Sequence, residues 1–258
     1  VSEAFVIENL LGSWQLFTLI ISGFTGYARC GTQPGARAGI VRDQVARIMR
    51  IAGIAGVRRG RTAITTRPAQ VPDSRPDLVK RCFKAGKPNE LWVADITYVR
   101  TLSGFVYTAF VTDVFSRKIE GWATRLTMQT EALPLEALEQ AILNAKEHLS
   151  GLVHHSDHGS QYTSIIYNDK LAHWGIKPST GSVGDSYDNA LAEAVNDLYK
   201  SELIYSQSGS SLTEVEFATM NWVHWWNNHR LYQELGYRSP SEIITSYNQT
   251  RVNELTPV

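Results

Sequence analysis

The 258-residue chain is 43% hydrophobic and 19% charged with no net charge, which supports a globular core and excludes a disordered polyelectrolyte. Two cysteines, Cys30 and Cys82, make neither a disulfide framework nor a zinc site, and isolated thiols fit a reducing, cytoplasmic setting. The zero balance hides a division: residues 36–90 carry 13 Lys/Arg against 4 Asp/Glu, a local +9, and residues 91–258 carry 11 against 19, a local −8. A basic arm beside an acidic body points to a polyanion held next to a carboxylate-rich site.

Residues 1–35 open with "VIENLLGSWQLFTLIISGF", apolar but interrupted by Glu8, Asn9 and Gln15. Its unbroken part is shorter than the ~20 apolar residues of a membrane span, and it lacks the basic start of a signal peptide. No membrane role is expected, and the segment is expected to stand apart from the rest. In "RDQVARIMRIAGIAGVRRGR" (42–61), Val45, Ile48, Met49 and Ile51 form a helical stripe with Arg42, Arg47 and Arg50 off it. The next stretch, "RTAITTRPAQVPDSRPDLVKRCF", has three prolines and no sustained period, so it reads as an extended basic linker. Residues 36–89 are thus a basic helical arm and linker. Arg42, Arg47, Arg50, Arg58, Arg59 and Arg61, with few Asn or Gln beside them, suit phosphates rather than base edges.

From residue 90 the pattern changes to a compact domain, 90–258. "LWVADITYV" (91–99), "FVYTAFVTDV" (105–114) and "SRKIEGWAT" (116–124) predict an antiparallel meander. An amphipathic helix follows over 130–149 with Thr130 as its N-cap. "GLVHHS" (151–156) and "GIKPST" (175–180) read as short strands around a helix near 163–174. Helices over 186–204 and 212–230 complete the domain, with a helical C-terminal tail. The predicted class is α/β: a mixed five-stranded sheet flanked by helices, with a basic helical N-terminal arm.

Three carboxylates stand out. Asp95 lies in the middle of the first strand, where a buried carboxylate must be paired or metal-bound; alone it reads equally well as a structural aspartate. Asp157, in "HHSDHGSQYTS", falls just past a strand's carboxyl end, where open α/β sheets place ligand sites, or it forms an Asx-turn into Gly159-Ser160. Glu193 lies on the 186–204 helix, whose expected buried face is Leu191, Ala194, Val195 and Leu198. With 35 residues between Asp157 and Glu193, the three fit the D…D-35-E spacing of polynucleotidyl transferases on a ribonuclease-H-like order of elements. Oxygen donors suit Mg2+, with Mn2+ as a substitute, and two such ions can clamp the attacking and leaving oxygens of one phosphate. His154, His155 and His158 do not read as a zinc site, because no cysteine lies near. His154 suits a core role, and His155 or His158 a contact with DNA or a supporting role.

"LWVADITYVRT", "HHSDHGSQYTS", "DNALAEAVNDLYKSELI" and "WWNNHRLYQELGYRSPSEI" resemble the catalytic core of insertion-sequence transposases of the IS-three family, which is similar to retroviral integrases. The resemblance runs from about residue 41 to about 246. It implies Mg2+-dependent cleavage and joining of double-stranded DNA at an element's ends and into a target, without a covalent protein intermediate. By position, Asp95, Asp157 and Glu193 match the metal-binding triad, and Lys200 matches a basic residue that positions terminal DNA. His158 and Asn189 join Lys200 and the arm arginines as candidate DNA contacts. A homo-oligomer on DNA, a small upstream helix-turn-helix partner and a nucleoid-associated bacterial setting are implied as well. Residues 1–40 fall outside the resemblance, so a second reading is a catalytically inactive DNA-binding remnant; a third is a plain ribonuclease-H-like nuclease. The three carboxylates are expected to converge, with Glu193 turning away where no cation offsets their repulsion.

Overall fold

The computed structural model describes residues 47, 50–51, 75–129, 132–145, 149–181, 189–206 and 211–255. The chain divides into two compact units, Val1–Val57 with His229–Ser239, and Arg58–Asn228 with Pro240–Val258. The expected separate segment 1–35 lies outside the described residues, as do Arg42, Arg58, Arg59 and Arg61.

In the larger unit, β1 (Leu91–Thr101), β2 (Gly104–Asp113) and β3 (Ile119–Arg125) form an antiparallel meander. β4 (Val153–Ser156) pairs parallel with β1, and β5 (Lys177–Thr180) parallel with β4, giving the order β3-β2-β1-β4-β5. α1 (Pro134–Ala145) joins β3 to β4, and α2 (Ile165–His173) joins β4 to β5. α3 (Ala190–Glu202), α4 (Leu212–Asn228) and α5 (Pro240–Leu255) follow. This is the mixed five-stranded, ribonuclease-H-like sheet flanked by helices that the pattern predicted.

Element ends differ from expectation for local reasons. α1 begins at Pro134, where the missing proline N–H costs nothing because a first-turn N–H has no helical partner; Thr130 lies outside the described residues. α2 begins after Ser164, whose Oγ accepts from Tyr167 N at 3.3 Å.

β1 is central and covered on both faces. Trp92 and Ala94 pack with Ala109, Val111, Leu138, Ala141, Tyr167 and Leu171, which places the main core under α1 and α2. Val93 belongs to the opposite cluster with Leu91, Val114, Val79 and Ala192. Because side chains alternate along a strand, Asp95 shares the Val93 face, toward α3.

The buried face of α3 is not the expected one. Ala192, Val195, Asn196 and Tyr199 are buried, whereas Leu191, Ala194 and Leu198 are half-buried. Tyr199 decides the rotation: its ring lies edge-on to Phe110 (5.1 Å) and Trp222 (5.2 Å), and its hydroxyl meets Thr219 Oγ1 at 2.7 Å. A face selected by aliphatic residues alone missed this aromatic anchor and the buried amide beside it.

The aromatic tail motif closes an edge of the sheet. Trp226 Nε1 donates to Arg117 O at 2.8 Å. Asn227 pairs with the backbone of Ile119 in both directions, each bond 2.9 Å. Edge strands left open invite association with other chains, and α4 here satisfies the first residue of β3. On the same strand, Gly121 lets α1 approach closely, since a Cβ there would overlap the Ala137 carbonyl oxygen.

Residues 75–89, expected as part of the basic arm and linker, dock on the sheet. Leu78 N donates to Ser179 Oγ at 3.0 Å, and Thr180 N donates to Pro76 O at 3.3 Å. Val79 is buried, and Phe83 lies edge-on to His155. In the smaller unit, Tyr232 and Arg238 bridge a turn closed by Gly236 at φ 66°. Arg47 and Arg50 are helical and exposed.

Candidate active site

Strand register brings the first two carboxylates together. β1 and β4 run parallel with Leu91 beside Val153 and Ala94 beside Ser156, so the next residue on each chain is Asp95 and Asp157. α3 is tied down across this point by two asparagines two turns apart. Asn189 Nδ2 donates to Ala94 O at 3.1 Å, and Asn196 Nδ2 donates to Asp95 Oδ2 at 2.9 Å. Glu193 lies between them, exposed on the first turn of α3. The helix N-terminus there favours a negative charge.

Asp95 is the most constrained of the three. Its Oδ1 accepts from Ile96 N at 2.8 Å and its Oδ2 from Asn196. Burial, and next the charge of Asp157, push its carboxyl well above the ordinary carboxylate range, with Glu193 adding to the rise and the two hydrogen bonds opposing it. Glu193 is also pushed up, first by the partial desolvation of its carboxyl, then by Asp197 and Asp157. Every pair among Asp95, Asp157 and Glu193 therefore interacts electrostatically.

Asp157 occupies the place that both of its sequence readings require. It stands past the end of β4, and its Oδ1 accepts from Gly159 N at 2.9 Å in the Asx-turn. A Cβ at Gly159 would lie 2.8 Å from that oxygen, so only glycine leaves the carboxylate where it is. Among the described residues no three His, Cys, Asp or Glu side chains stand ready-made around a metal position. The oxygens fit a hard divalent cation in kind, and their mutual repulsion is the condition a cation relieves.

Residues 85–186 match the integrase core domain family, and residues 174–240 match a second family of the same description. The transposase for insertion sequence element IS629 of Shigella sonnei is 48% identical over 208 residues, 81% of this chain and 69% of that protein. The chain belongs to the insertion-sequence transposases. The putative transposase for IS986/IS6110 of Mycobacterium tuberculosis is 47% identical over 218 residues, 82% of this transposase and 78% of that one. Among solved structures, the simian T-cell lymphotropic virus intasome in complex with PP2A regulatory subunit B56 gamma contains a chain that aligns at a TM-score of 0.51. Identity is 14%, over 70% of this transposase and 60% of that chain, a likeness of fold.

The three histidines of the 154–158 stretch of the transposase go separate ways. His154 Nε2 meets the Tyr167 hydroxyl at 3.0 Å, and burial, then Arg75, lower its pKa to about 3, so the ring is neutral. His155 Nδ1 meets Ser179 Oγ at 2.9 Å, and His158 Nε2 donates to Gly181 O. They do not share a metal position. Lys200 sits with Nζ 4.6 Å from the centre of the Tyr98 ring, a cation–π contact. Asn189, a candidate DNA contact, is 6% exposed and donates to Ala94 O of β1.

Three residues near the carboxylates escaped the sequence reading. Asn196 is three residues after Glu193, a spacing that signals a shared helix surface. Tyr162 is buried with no partner for its hydroxyl among the described residues, and it feels the charges of both aspartates. Arg75 reaches the Asp157 loop from far upstream, with no local signal to mark it.

Proposed function

We propose that Asp95, Asp157 and Glu193 are the catalytic carboxylates of this transposase, jointly holding two Mg2+ ions, with Mn2+ as a substitute. The observation that carries the reading is the β1–β4 register, which brings Asp95 on β1 beside Asp157 just past β4, with α3 tied across Asp95 by Asn189 and Asn196. When bound, divalent ions would neutralise the carboxylates, activate the attacking oxygen and stabilise the leaving oxygen of a phosphodiester. The chain's own contribution is to hold ligand oxygens in place: Asp95 between Ile96 N and Asn196, Asp157 through its turn with Gly159. The reaction is cleavage at the ends of an insertion sequence, followed by attack of the freed 3′-hydroxyl on a target phosphodiester.

Double-stranded DNA is the substrate. Arg42, Arg47, Arg50, Arg58, Arg59 and Arg61 contact its phosphates, while Lys200 and His158 meet the terminal nucleotides at the site. The transposase works as a homo-oligomer on DNA, with a small upstream helix-turn-helix protein as partner, at the nucleoid in the cytoplasm. Among the described residues no helix is long and apolar enough to cross a membrane. Against the inactive-remnant reading, all three carboxylates are present and interact.

The test is strand transfer on a labelled element end in Mg2+, with Asp95→Asn, Asp157→Asn and Glu193→Gln. Each amide keeps shape and removes charge, so cleavage and joining should vanish together while DNA binding survives. Near-normal transfer by Glu193→Gln would remove that residue from the triad, and near-normal transfer by all three would end the mechanism.

A further inference from the structure

We propose that Arg75 is a positioning residue for Asp157, a two-pronged clamp that fixes the loop carrying this carboxylate; the inference rests on the triad reading above. One guanidinium nitrogen donates to Ser156 Oγ and another to the Asp157 carbonyl oxygen, both at 2.9 Å. Both acceptors lie at the carboxyl end of β4, where the backbone leaves the sheet. Ser156 is fully buried, so the clamp takes hold inside the core rather than on a mobile surface.

The clamp is itself anchored. Pro76 O accepts from Thr180 N, Leu78 N donates to Ser179 Oγ, and Val79 is buried with Leu91 and Val93. The backbone just after Arg75 is thereby tied to β5 and to β1, on either side of β4. A planar guanidinium with two parallel donors fixes direction as well as distance, which an ammonium does not. Asp157 also turns its Oδ1 onto Gly159 N, so its carboxylate direction follows from the path of a backbone that Arg75 holds.

Charge and geometry make opposite forecasts here. A cation beside a metal site repels the metal, so if Arg75 acted only through its charge, removing it would strengthen metal binding. If it acts by position, removing it weakens metal binding, and a lysine, which keeps the charge, fails as well. Supporting groups of metal ligands typically contribute about 10- to 100-fold in affinity.

The experiment titrates Mn2+ into the full chain and reads free Mn2+ by electron paramagnetic resonance. Wild type is compared with Arg75→Lys, Arg75→Ala, Ser156→Ala and Asp157→Asn, with melting temperatures recorded in EDTA. The clamp predicts about 10-fold weaker Mn2+ binding in both Arg75 variants, a smaller loss in Ser156→Ala, and DNA affinity in EDTA unchanged for Arg75→Lys. Unchanged or tighter Mn2+ binding in Arg75→Ala overturns the proposal. So does a loss of DNA affinity with Mn2+ binding intact, which would make Arg75 a phosphate contact. If Arg75→Ala does not fold, Arg75→Lys and Ser156→Ala decide the matter. Should Asp157→Asn bind Mn2+ like wild type, the triad reading has failed; should it lose Mn2+ while the Arg75 variants keep it, only the clamp has failed.

Discussion

Replacing Asn196 with leucine isolates what one amide does for Asp95. Asn196 is 6% exposed, its Nδ2 donates to Asp95 Oδ2 at 2.9 Å, and its Oδ1 has no partner among the described residues. The raw stability change mixes several terms: the lost bond, the removal of an unsatisfied oxygen and small packing differences. Only the first depends on whether Asp95 is ionised. A hydrogen bond to a charged group contributes about 1.5–3 kcal/mol and one between neutral groups about 0.5–1.5 kcal/mol, so the pH-dependent part of the loss is about 1 kcal/mol.

Its sign follows from linkage. Burial and Asp157 raise the Asp95 pKa above its ordinary value, so its own effect is to stabilise the fold as pH falls through the folded pKa. The Asn196 bond opposes that rise. Asn196→Leu therefore raises the Asp95 pKa further, is least stable relative to wild type on the alkaline side, and approaches wild type as pH falls. Urea denaturation in EDTA from pH 4 to 9 measures the gap, which should close by about 1 kcal/mol toward acid. In an Asp95→Asn background the gap should no longer vary with pH. A gap that is flat with pH in the wild-type background, or widens toward acid, refutes the reasoning.

Three further outcomes follow from the same geometry. Gly159→Ala should displace the Asp157 carboxylate, whose Oδ1 would lie 2.8 Å from the new Cβ; strand transfer should fall by about 100-fold, while urea midpoints move little. Gly121→Ala should cost about 3 kcal/mol or more, because the new methyl meets α1 backbone rather than a flexible side chain; a loss below about 1 kcal/mol would mean that β3 and α1 separate easily. Mn2+ should raise the melting temperature of wild type, reversibly with EDTA, and should not raise that of Asp95→Asn; an equal shift in both would place the ion elsewhere.

The elements that sequence revealed are those whose signal is local. The meander was visible because β1 to β3 are dense in β-branched and aromatic residues. Asp157 could be placed because "GLVHHS" ends where an Asx-turn begins. What stayed hidden depends on partners distant in the chain. Arg75 meets Ser156 across 81 residues, and Asn196 meets Asp95 across 101. Residues 75–83 are irregular, and Leu78, Val79 and Phe83 carry no period that would announce their docking. On α3, hydropathy ranked Leu191 and Leu198 above Tyr199 and Asn196, but the aromatic cluster of Phe110 and Trp222 set the rotation.

The same contacts grade the three carboxylates by how firmly they are held. Asp95 has donors on both oxygens, and Asp157 is fixed by its turn and by Arg75 behind it. Glu193 is exposed and accepts no hydrogen bond among the described residues. Three anions in one place repel, and the strain is relieved where restraint is least, which here is Glu193. A cation should therefore draw Glu193 inward and leave the aspartates where they are. Crystals with and without Mn2+ should show a changed Glu193 rotamer and an unchanged Asp95–Asn196 bond. If Asp95 rotates away from Asn196 while Glu193 stays put, the buried amide is not what orders the site, and the hierarchy runs the other way.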